Sequence, residues 1–187
     1  MFVIETRRLT LSPLEPDDAT RLVELCNDRD IARNTARIDS PYTLEDAQHF
    51  IGYAAGAMAG GAEFPFAVRR DGVVVACAGA KPHGENACEL GYWVGAKDRG
   101  QGVATEAGDA VLQFACARLA PETLTSGHFA DNPASGRVLE KLGFKPTGEI
   151  MQMHSAGRGE TVDTVRLAMP AGAYAPLAPV RIVTAGA

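Results

Sequence analysis

The stretch YWVGAKDRGQGVATEA, residues 92–107, joins a short apolar segment to a helical one through a glycine-rich loop. Gly100 and Gly102 lack a Cβ atom, so the backbone can turn tightly there and approach a ligand closely. The following helix begins with N–H groups that have no intrahelical partner, and its dipole is positive at that end. Arg99 adds a full charge. The loop is therefore suited to an anion such as a pyrophosphate, although by local pattern alone a plain turn is an equally good interpretation.

Two familiar phosphate-binding loops do not match this stretch. No Gly-Lys-Ser/Thr sequence follows the glycines, and Thr105 occupies the position of the third glycine in a dinucleotide fingerprint. A Rossmann-type nucleotide enzyme would also place an acidic ribose contact about 20 residues after the loop. Glu122 lies near that distance, but it follows Pro121 rather than a strand end.

The totals are typical of one ordinary domain. The chain has 187 residues, 46% of them apolar, so it can bury a sizeable core. The net charge of −5 argues against broad nucleic-acid binding. We find no apolar run long enough for a signal peptide or a membrane span, so we expect a cytoplasmic protein with no membrane partner. Both a monomer and a homodimer are open.

The four cysteines are scattered, and no pair has metal-ligand spacing. We therefore expect no metal site and interpret the cysteines as small buried hydrophobic residues. They are Cys26, Cys77, Cys88 and Cys116.

Outward from the loop, alternation and punctuation predict strands and helices in mixed order. An Asp71-Gly72 pair between two apolar runs predicts a hairpin. Asn132 as N-cap, Pro133 at the first helical position and Gly143 beyond the end bound one short helix. Thr43 with Asp46 three residues later resembles a capping box. The predicted strands are at 6–14, 64–70, 73–81, 88–94 and 123–130, with two more around Gly157–Gly159; the predicted helices are at 15–28, 43–59, 104–119 and 132–144.

This order predicts one α/β or α+β domain, in which a mixed sheet carries helices on both faces. We place the domain at residues 1–169. The segment 170–187 is rich in Ala, Pro and Gly and forms a tail. It is either partly disordered or adds an edge strand through VRIVT, residues 180–184.

ELGYWVGAKDRGQGVATEA, followed some thirty residues later by NPASGRVLEKLGF, resembles the GNAT superfamily of acetyl-CoA-dependent N-acetyltransferases. Within it, the chain is similar to the RimJ/RimL branch, which acetylates the N-termini of ribosomal proteins. The pyrophosphate loop of the superfamily, Gln/Arg-x-x-Gly-x-Gly/Ala, is met by Arg99, Gly102 and Ala104. ETRRLTLSPLEPDDA and YTLEDAQHFI resemble opening segments of that branch. The resemblance covers about residues 3 to 169.

The resemblance implies a twisted mixed sheet whose fourth and fifth strands, ELGYWV and TLTSGHFA, splay apart to hold acetyl-CoA. Asn132 would bond the pantetheine amide, and Arg137 and Lys141 would face the phosphates. By their residue types alone, Asn132 is as well explained as a helix cap, and the two cations as solvated charges. The implied cofactor-binding set is Trp93, Val94, Arg99, Gly100, Gln101, Gly102, Val103, Ala104, Thr105, Asn132, Ser135, Arg137 and Lys141.

An amine must lose its proton before it attacks a thioester, because amines with a pKa of about 8 to 10 are mostly protonated at pH 7. The enzyme therefore needs a proton acceptor. Glu89, at the start of the fourth strand, is the first candidate, although a solvent-facing carboxylate at a strand end is an equally good interpretation. Glu160 and His154, on the last hairpin, are the alternatives. Glu106 is better explained as a charge that compensates the helix dipole.

The departing thiolate needs a hydrogen-bond donor. Many members of the superfamily have a tyrosine where this chain has Leu139, so a phenol at that position is excluded. The RimJ/RimL branch points instead to Ser135, which we assign to hydrogen bonding to the sulfur. No activating histidine stands in a motif near Cys88 or Cys116. We therefore expect direct transfer in a ternary complex.

The expected acceptor is a primary amine, either a protein N-terminal α-amine or a small molecule. A non-catalytic CoA-binding module is the alternative, because the tyrosine is missing and the base is not fixed. Selectivity would come from the first helices and the last hairpin. The acidic stretch at residues 15–30 suggests a cationic acceptor, but a solvated helix face explains it equally well.

Overall fold

In the computed structural model, which describes residues 1–184, one nine-stranded sheet carries helices on both faces. The strands are β1 (Phe2–Glu5), β2 (Thr10–Ser12), β3 (Phe64–Arg70), β4 (Val73–His83), β5 (Ala87–Val94), β6 (Thr123–Phe129), β7 (Lys145–Ser155), β8 (Glu160–Pro170) and β9 (Arg181–Thr184). The helices are α1 (Ala19–Cys26), α2 (Arg29–Arg33), α3 (Leu44–Ala59), α4 (Val103–Arg118) and α5 (Pro133–Lys141). Short 3₁₀ turns lie at Pro16–Asp18, Ala96–Asp98, Ala156–Arg158 and Ala171–Ala173.

The sheet order is β7-β8-β6-β5-β4-β3-β2-β1-β9, and the β5–β6 pair is parallel while its neighbours are antiparallel. The mixed sheet confirms the predicted fold class. The predicted hairpin is also confirmed, because Asp71 and Gly72 join β3 to β4 with φ of 51° and 80°. Two consecutive positive φ values are what a two-residue turn of this kind requires.

The two faces of the sheet bury separate cores. On one face, α4 and α5 contribute Phe114 and Leu139 to a core that also contains Phe66 of β3. On the other face, α1 and α3 contribute Leu22 and Ile51 to a second core. The sheet is therefore covered on both sides, and ligand access is directed to the places where strands separate.

The prediction of one strand at residues 6–14 was wrong. The chain instead forms β1 and β2 around a turn in which the Thr6 amide donates to the Leu9 carbonyl at 2.9 Å. The Thr6 hydroxyl also donates to Glu106 on α4 at 2.7 Å. The contact between Thr6 and Glu106, 100 residues apart, thus holds the turn that interrupts the single strand predicted from alternating polar and apolar residues.

The carboxyl ends of β5 and β6 separate. Their parallel pairing covers three residue pairs and ends at Glu89 with Thr125. A hydrogen bond from Ser126 Oγ to the Leu90 carbonyl, 2.8 Å, spans the next position. Within residues 1–184, Gly91–Val94 has no backbone pair with β6. The splay expected between these strands is therefore present, and it leaves one edge of β5 unpaired.

The tail returns to the far edge of the sheet, where β9 pairs with β1 in antiparallel register. Buried Asp109 on α4 fastens it by accepting hydrogen bonds from Tyr174 Oη at 2.6 Å and the Leu177 amide at 3.0 Å. The part of the predicted tail at residues 185–187 lies outside the described residues. The division into a domain at 1–169 and a tail at 170–187 stays a prediction.

Within the described residues, no helix is both long and apolar enough to cross a membrane. The same residues contain no group of three or more His, Cys, Asp or Glu side chains arranged to hold a metal ion.

Candidate active site

The glycine-rich loop leads into α4 at the carboxyl end of β5. Gly100 and Gly102 have φ of 72° and 80°, a left-handed conformation that favours glycine. Gly102 is the N-cap of α4 and has no side chain that could cap the helix. Within residues 1–184, the amides of residues 100–105 donate no backbone hydrogen bond outside the helix. These free donors, at the positive end of a 16-residue helix, form a backbone site for an anion.

Arg8 braces the loop from the turn between β1 and β2. Its Nη1 donates to the Gln101 carbonyl at 3.0 Å, and its Nε and Nη2 contact Glu106 at 2.6 Å. Burial raises the pKa of Glu106, but the hydrogen bonds from Thr6 and Arg8 outweigh it, so the pKa lies below its ordinary value. Glu106 thus stays charged and structural, as its position in the first turn of α4 suggested.

Arg70 supports the same loop from β3. Its Nη1 contacts Gln101 Oε1 and Asp98 Oδ1, both at 3.0 Å. Its Nη2 is buried and has no partner within the described residues. The guanidinium therefore holds Gln101 and Asp98 in place and adds positive charge beside the loop.

The guanidinium of Arg99 is occupied by protein partners. Nε donates to the Val94 carbonyl at 3.1 Å, and the two Nη atoms contact Asp28 at 2.7 Å and Asp30 at 3.0 Å. The side chain therefore fastens α2 to the end of β5. Any contact of Arg99 with a pyrophosphate would come from its backbone.

Trp93 and Val94 lie on opposite faces of β5. The Trp93 side chain is half-buried against the core under α1 and α3, and Val94 packs against the core under α4. Both residues pair with β4, at Cys77 and Ala76, and leave the other strand edge open to the splay. An extended arm that lies in the splay would meet this edge as an added strand does.

Asn132, Ser135 and Tyr92 meet at the start of α5, beside β5. Asn132 Oδ1 accepts from the Ser135 amide at 3.3 Å, so the asparagine is the N-cap that the sequence indicated. Tyr92 Oη lies 2.9 Å from Ser135 Oγ and 3.1 Å from the Ser135 carbonyl oxygen, and its single proton can be donated to one of these two oxygens at a time. Burial raises the pKa of Tyr92 to about 12, although the hydrogen bond with Ser135 lowers it. The phenol therefore stays protonated and remains a donor.

The Glu89 carboxylate contacts β8 and is also partly exposed to water. Arg166 Nη1 donates to Glu89 Oε1 at 2.6 Å, and the Glu89 side chain is 33% exposed. Within residues 1–184, Glu89 Oε2 has no hydrogen-bond partner. One oxygen is thus fixed by a charge-assisted bond, and the other is available to a water or an amine.

The other predicted residues lie around this centre. Arg137 and Lys141 are exposed on α5, one turn apart. His154 is exposed on β7, opposite Thr161 of β8. Glu160 begins β8 and lines a cavity of about 500 Å³ between α2 and the β7–β8 turn. The candidate bases are therefore on two elements, with Glu89 in the sheet and the other two on the last hairpin.

All four cysteines have free thiols, and Cys26, Cys77 and Cys88 are buried. Burial raises the pKa of Cys26 to about 12 and that of Cys88 to about 11. Neither thiol is a ready nucleophile at neutral pH.

A splayed mixed sheet, with a glycine-rich anion loop that opens a helix at the splay, defines an acetyltransferase architecture. A family model described as "Acetyltransferase (GNAT) domain" matches residues 8–145. The chain belongs to this family, and it is an acetyl-CoA-dependent acetyltransferase.

Solved structures share the fold. A GNAT-family acetyltransferase from Bacillus anthracis is 24% identical, with TM-score 0.78, over 92% of this chain and 99% of that one. RimJ of Mycobacterium smegmatis in complex with CoA-disulfide is 18% identical, with TM-score 0.79, over 92% and 88%. The microcin C7 self-immunity acetyltransferase MccE, in complex with acetyl-CoA and AMP, is 17% identical, with TM-score 0.78, over 88% and 93%.

Sequence reasoning missed several residues of this centre, namely Tyr92, Arg8, Arg70 and Arg166. Their partners lie between 28 and 98 residues away in the chain. Only Tyr92 carried a signal, because it belongs to the YWV segment that was assigned to the strand edge.

Proposed function

We propose that this acetyltransferase moves the acetyl group of acetyl-CoA to a primary amine by direct attack in a ternary complex. The observation that carries the proposal is the junction of two backbone surfaces, the edge of β5 at residues 91–94 that β6 leaves unpaired and the free amides of residues 100–105. On the β5 edge, the Val94 carbonyl is already bonded to Arg99 Nε, so the arm meets the backbone groups before it. An elongated ligand with an amide-bearing arm and a pyrophosphate matches both surfaces at once.

The loop residues hold the ligand. Backbone amides from Arg99 to Thr105 bind the pyrophosphate, and the edge at Trp93 and Val94 binds the arm. Asn132 contributes its Nδ2, because its Oδ1 is already used as the helix cap. Arg137 and Lys141 are exposed on the following helix and supply charge near the phosphates. No metal takes part in this proposal.

Acetyl-CoA supplies the acetyl group and a thiol of pKa about 8.5, whose thiolate is a tolerable leaving group. Ser135 Oγ donates a hydrogen bond to the sulfur as it gains charge. Tyr92 Oη, 2.9 Å from Ser135 Oγ, gives its single proton to that oxygen rather than to the Ser135 carbonyl, which leaves the serine proton to point at the sulfur. A phenol thus supports the leaving group from β5, although α5 has Leu139 where many relatives have tyrosine.

Glu89 takes the proton of the attacking amine, directly or through a water, with Oε2 as the acceptor atom. The Arg166 guanidinium holds the carboxylate in place at 2.6 Å. Glu160 and His154 remain the alternative bases, because both lie on the hairpin beside the cavity or close to it. A protonated, buried Cys88 supports direct attack rather than an acyl-cysteine.

The proposed acceptor is a protein N-terminal α-amine or a small-molecule amine, in keeping with a RimJ/RimL-like branch. Two features of the chain support this breadth. The β7–β8 turn and α2 frame a cavity of about 500 Å³ that is lined mostly by polar side chains and takes a chain end or a small molecule. The adjoining strands β5 and β6 are splayed at the same end.

The test is CoA release from acetyl-CoA in the presence of a panel of amines and N-terminal peptides, with Glu89→Gln as the matched variant. We expect at least one acceptor to be acetylated, and we expect the variant to lose about 100-fold in kcat while it binds CoA normally. If the protein binds CoA but acetylates none of the panel, it is a non-catalytic CoA-binding module. If Glu89→Gln is fully active and Glu160→Gln is not, the base is Glu160.

A further inference from the structure

The cavity between α2 and the β7–β8 turn has a polar, arginine-rich wall. Its volume is about 500 Å³. Three arginines and one carboxylate reach it, and small or amide-bearing residues complete the lining, which consists of Asn27, Arg29, Ala32, Arg33, Ser40, Gly157, Arg158 and Glu160. The backbone is close-packed at one point of this junction, because a Cβ atom on Gly157 would lie 2.6 Å from the Ala32 carbonyl oxygen. The wall is therefore held in a defined position.

The helix α2 places this cavity at the mouth of the splay. At one end of α2, Asp28 and Asp30 bind Arg99, whose Nε is bonded to the last carbonyl of β5. At the other end, Arg33 Nη2 binds Asp131, two residues after β6, at 2.7 Å. The short helix thus spans the separated ends of β5 and β6, and the cavity adjoins the space between them.

Positive charge exceeds negative charge around this cavity. Arg33 and Arg158 share the single carboxylate of Asp131, at 2.7 and 2.8 Å. Arg29 is exposed and, within residues 1–184, has no hydrogen-bond or ion-pair partner. The aspartates of this region do not offset it, because Asp28 and Asp30 are committed to Arg99. The acidic stretch at residues 15–30 therefore does not present a free anionic face to a ligand here.

At the start of β8, the cavity wall carries a negative charge. Glu160 is exposed and makes no hydrogen bond or ion pair within the described residues. The pKa of Arg158 is raised, first by its hydrogen bonds to Asp131 and further by the charge of Glu160 nearby. An unpaired arginine and an unpaired carboxylate thus face one cavity from two different elements.

We propose that this cavity selects acceptors in which a carboxylate lies close to the reacting amine, with Arg29 binding the carboxylate and Glu160 facing the ammonium. The inference rests on the proposed function, since it names the substrate class of the same site. A guanidinium binds a carboxylate through two parallel N–H donors, so Arg29 discriminates against an uncharged amide of the same shape. A purely cationic amine would leave the excess of arginine charge uncompensated.

The test measures the binding of two pairs of probes to CoA-saturated protein by isothermal titration calorimetry. β-Alanine against β-alaninamide represents free amino acids, and Ala-Asp-Ala-amide against Ala-Asn-Ala-amide represents protein N-termini. In at least one pair, we expect the acid to bind at least about tenfold more tightly than the amide. The pair that shows the preference identifies the source of the acceptor.

Two variants of Arg29 and one matched control complete the design. Arg29→Gln reduces the acid-to-amide ratio to near one, and Arg29→Lys keeps part of it, because lysine retains the charge but not the fork. The control is Arg181→Gln on the far edge strand β9, where Arg181 makes only a loose 3.5 Å contact with Glu5. It keeps the full ratio. A CoA-induced thermal shift in each variant verifies that the protein is folded.

Three outcomes would overturn the inference. The wild type binds acid and amide equally, it binds none of the probes, or Arg29→Gln leaves the acid-to-amide ratio unchanged. Its failure is distinct from failure of the proposed function. Acetylation of acids and amides at equal kcat/KM leaves the function in place and removes the selectivity. A tenfold binding ratio without any acetylation leaves the selectivity in place and removes the function.

Discussion

Substitution of Gly102 by alanine tests whether the loop amides hold a pyrophosphate. Gly102 has φ of 80° and is the N-cap of α4. An added Cβ atom would lie 3.3 Å from Arg8 Nη2, the far end of a side chain that can yield slightly. The main effect is therefore on the backbone, because a residue with a Cβ atom in the left-handed region costs roughly 1–2 kcal/mol.

The free loop of the variant relaxes away from this conformation, and CoA must restore it upon binding. A strain of roughly 1–2 kcal/mol corresponds to a Kd for CoA that is weaker by about 5- to 30-fold. Pantetheine, which lacks the pyrophosphate, should bind with unchanged Kd. Isothermal titration calorimetry with CoA and with pantetheine measures both values.

Gly72 provides the matched control, because it also has φ of 80° but lies in the β3–β4 turn with no atom within 4 Å of an added Cβ. Gly72→Ala carries the same backbone cost and should lower Tm without changing the Kd for CoA. If Gly102→Ala binds CoA as the wild type does, or if pantetheine and CoA lose affinity equally, the loop amides do not hold the pyrophosphate.

Three further predictions follow from single contacts. Tyr92→Phe and Ser135→Ala should each lower kcat about tenfold. The double variant should be no slower than Ser135→Ala, because both residues act through one hydrogen-bond donor at the sulfur. Additive losses of kcat in steady-state kinetics would contradict this. Hydrogen bonds from Arg158 and Arg33 hold the pKa of Asp131 well below its usual range. The ionised Asp131 carboxylate therefore stabilises the fold above pH about 4, and this stabilisation is lost as the pH falls below that value. The stability gap between the wild type and Asp131→Asn, measured by urea unfolding, should shrink from pH 7 to pH 3, and a gap that grows would have the wrong sign. Asp109→Ala removes the buried acceptor of the hydrogen bonds from Tyr174 and Leu177. The change should lower the free energy of unfolding by about 3 kcal/mol and Tm by about 6 to 12 °C, and Asp109→Asn should lower both by less. An unchanged Tm in the alanine variant would contradict the role of Asp109 as the anchor of the tail.

Local signals predicted much of the fold. The helix α5 was bounded by Asn132, Pro133 and Gly143, and in the structure Asn132 caps it while Gly143 follows with φ of 98°. Thr43 and Asp46 form the reciprocal cap of α3. These features depend on residues at most a few positions apart, so the sequence itself contains them.

Features set by distant residues were beyond prediction. The break between β1 and β2 depends on Glu106, and the role of the Arg99 side chain depends on Asp28, 71 residues away. The acidic stretch before α3 suggested a cationic acceptor, but three of its carboxylates bind Arg69 or Arg99. Charge read along the chain does not reveal how much of it is already paired.

In the proposed reaction, the acetyl group passes directly from acetyl-CoA to an amine. The decisive measurement follows free thiol, acetylated amine and the intact mass of the protein in one reaction with the best acceptor of the panel. Direct transfer predicts one acetylated amine for each CoA released, no thiol release without an amine, and an unmodified protein at every time point. Thiol release without an amine, or an acetyl group on the protein that chases into the amine, would contradict it.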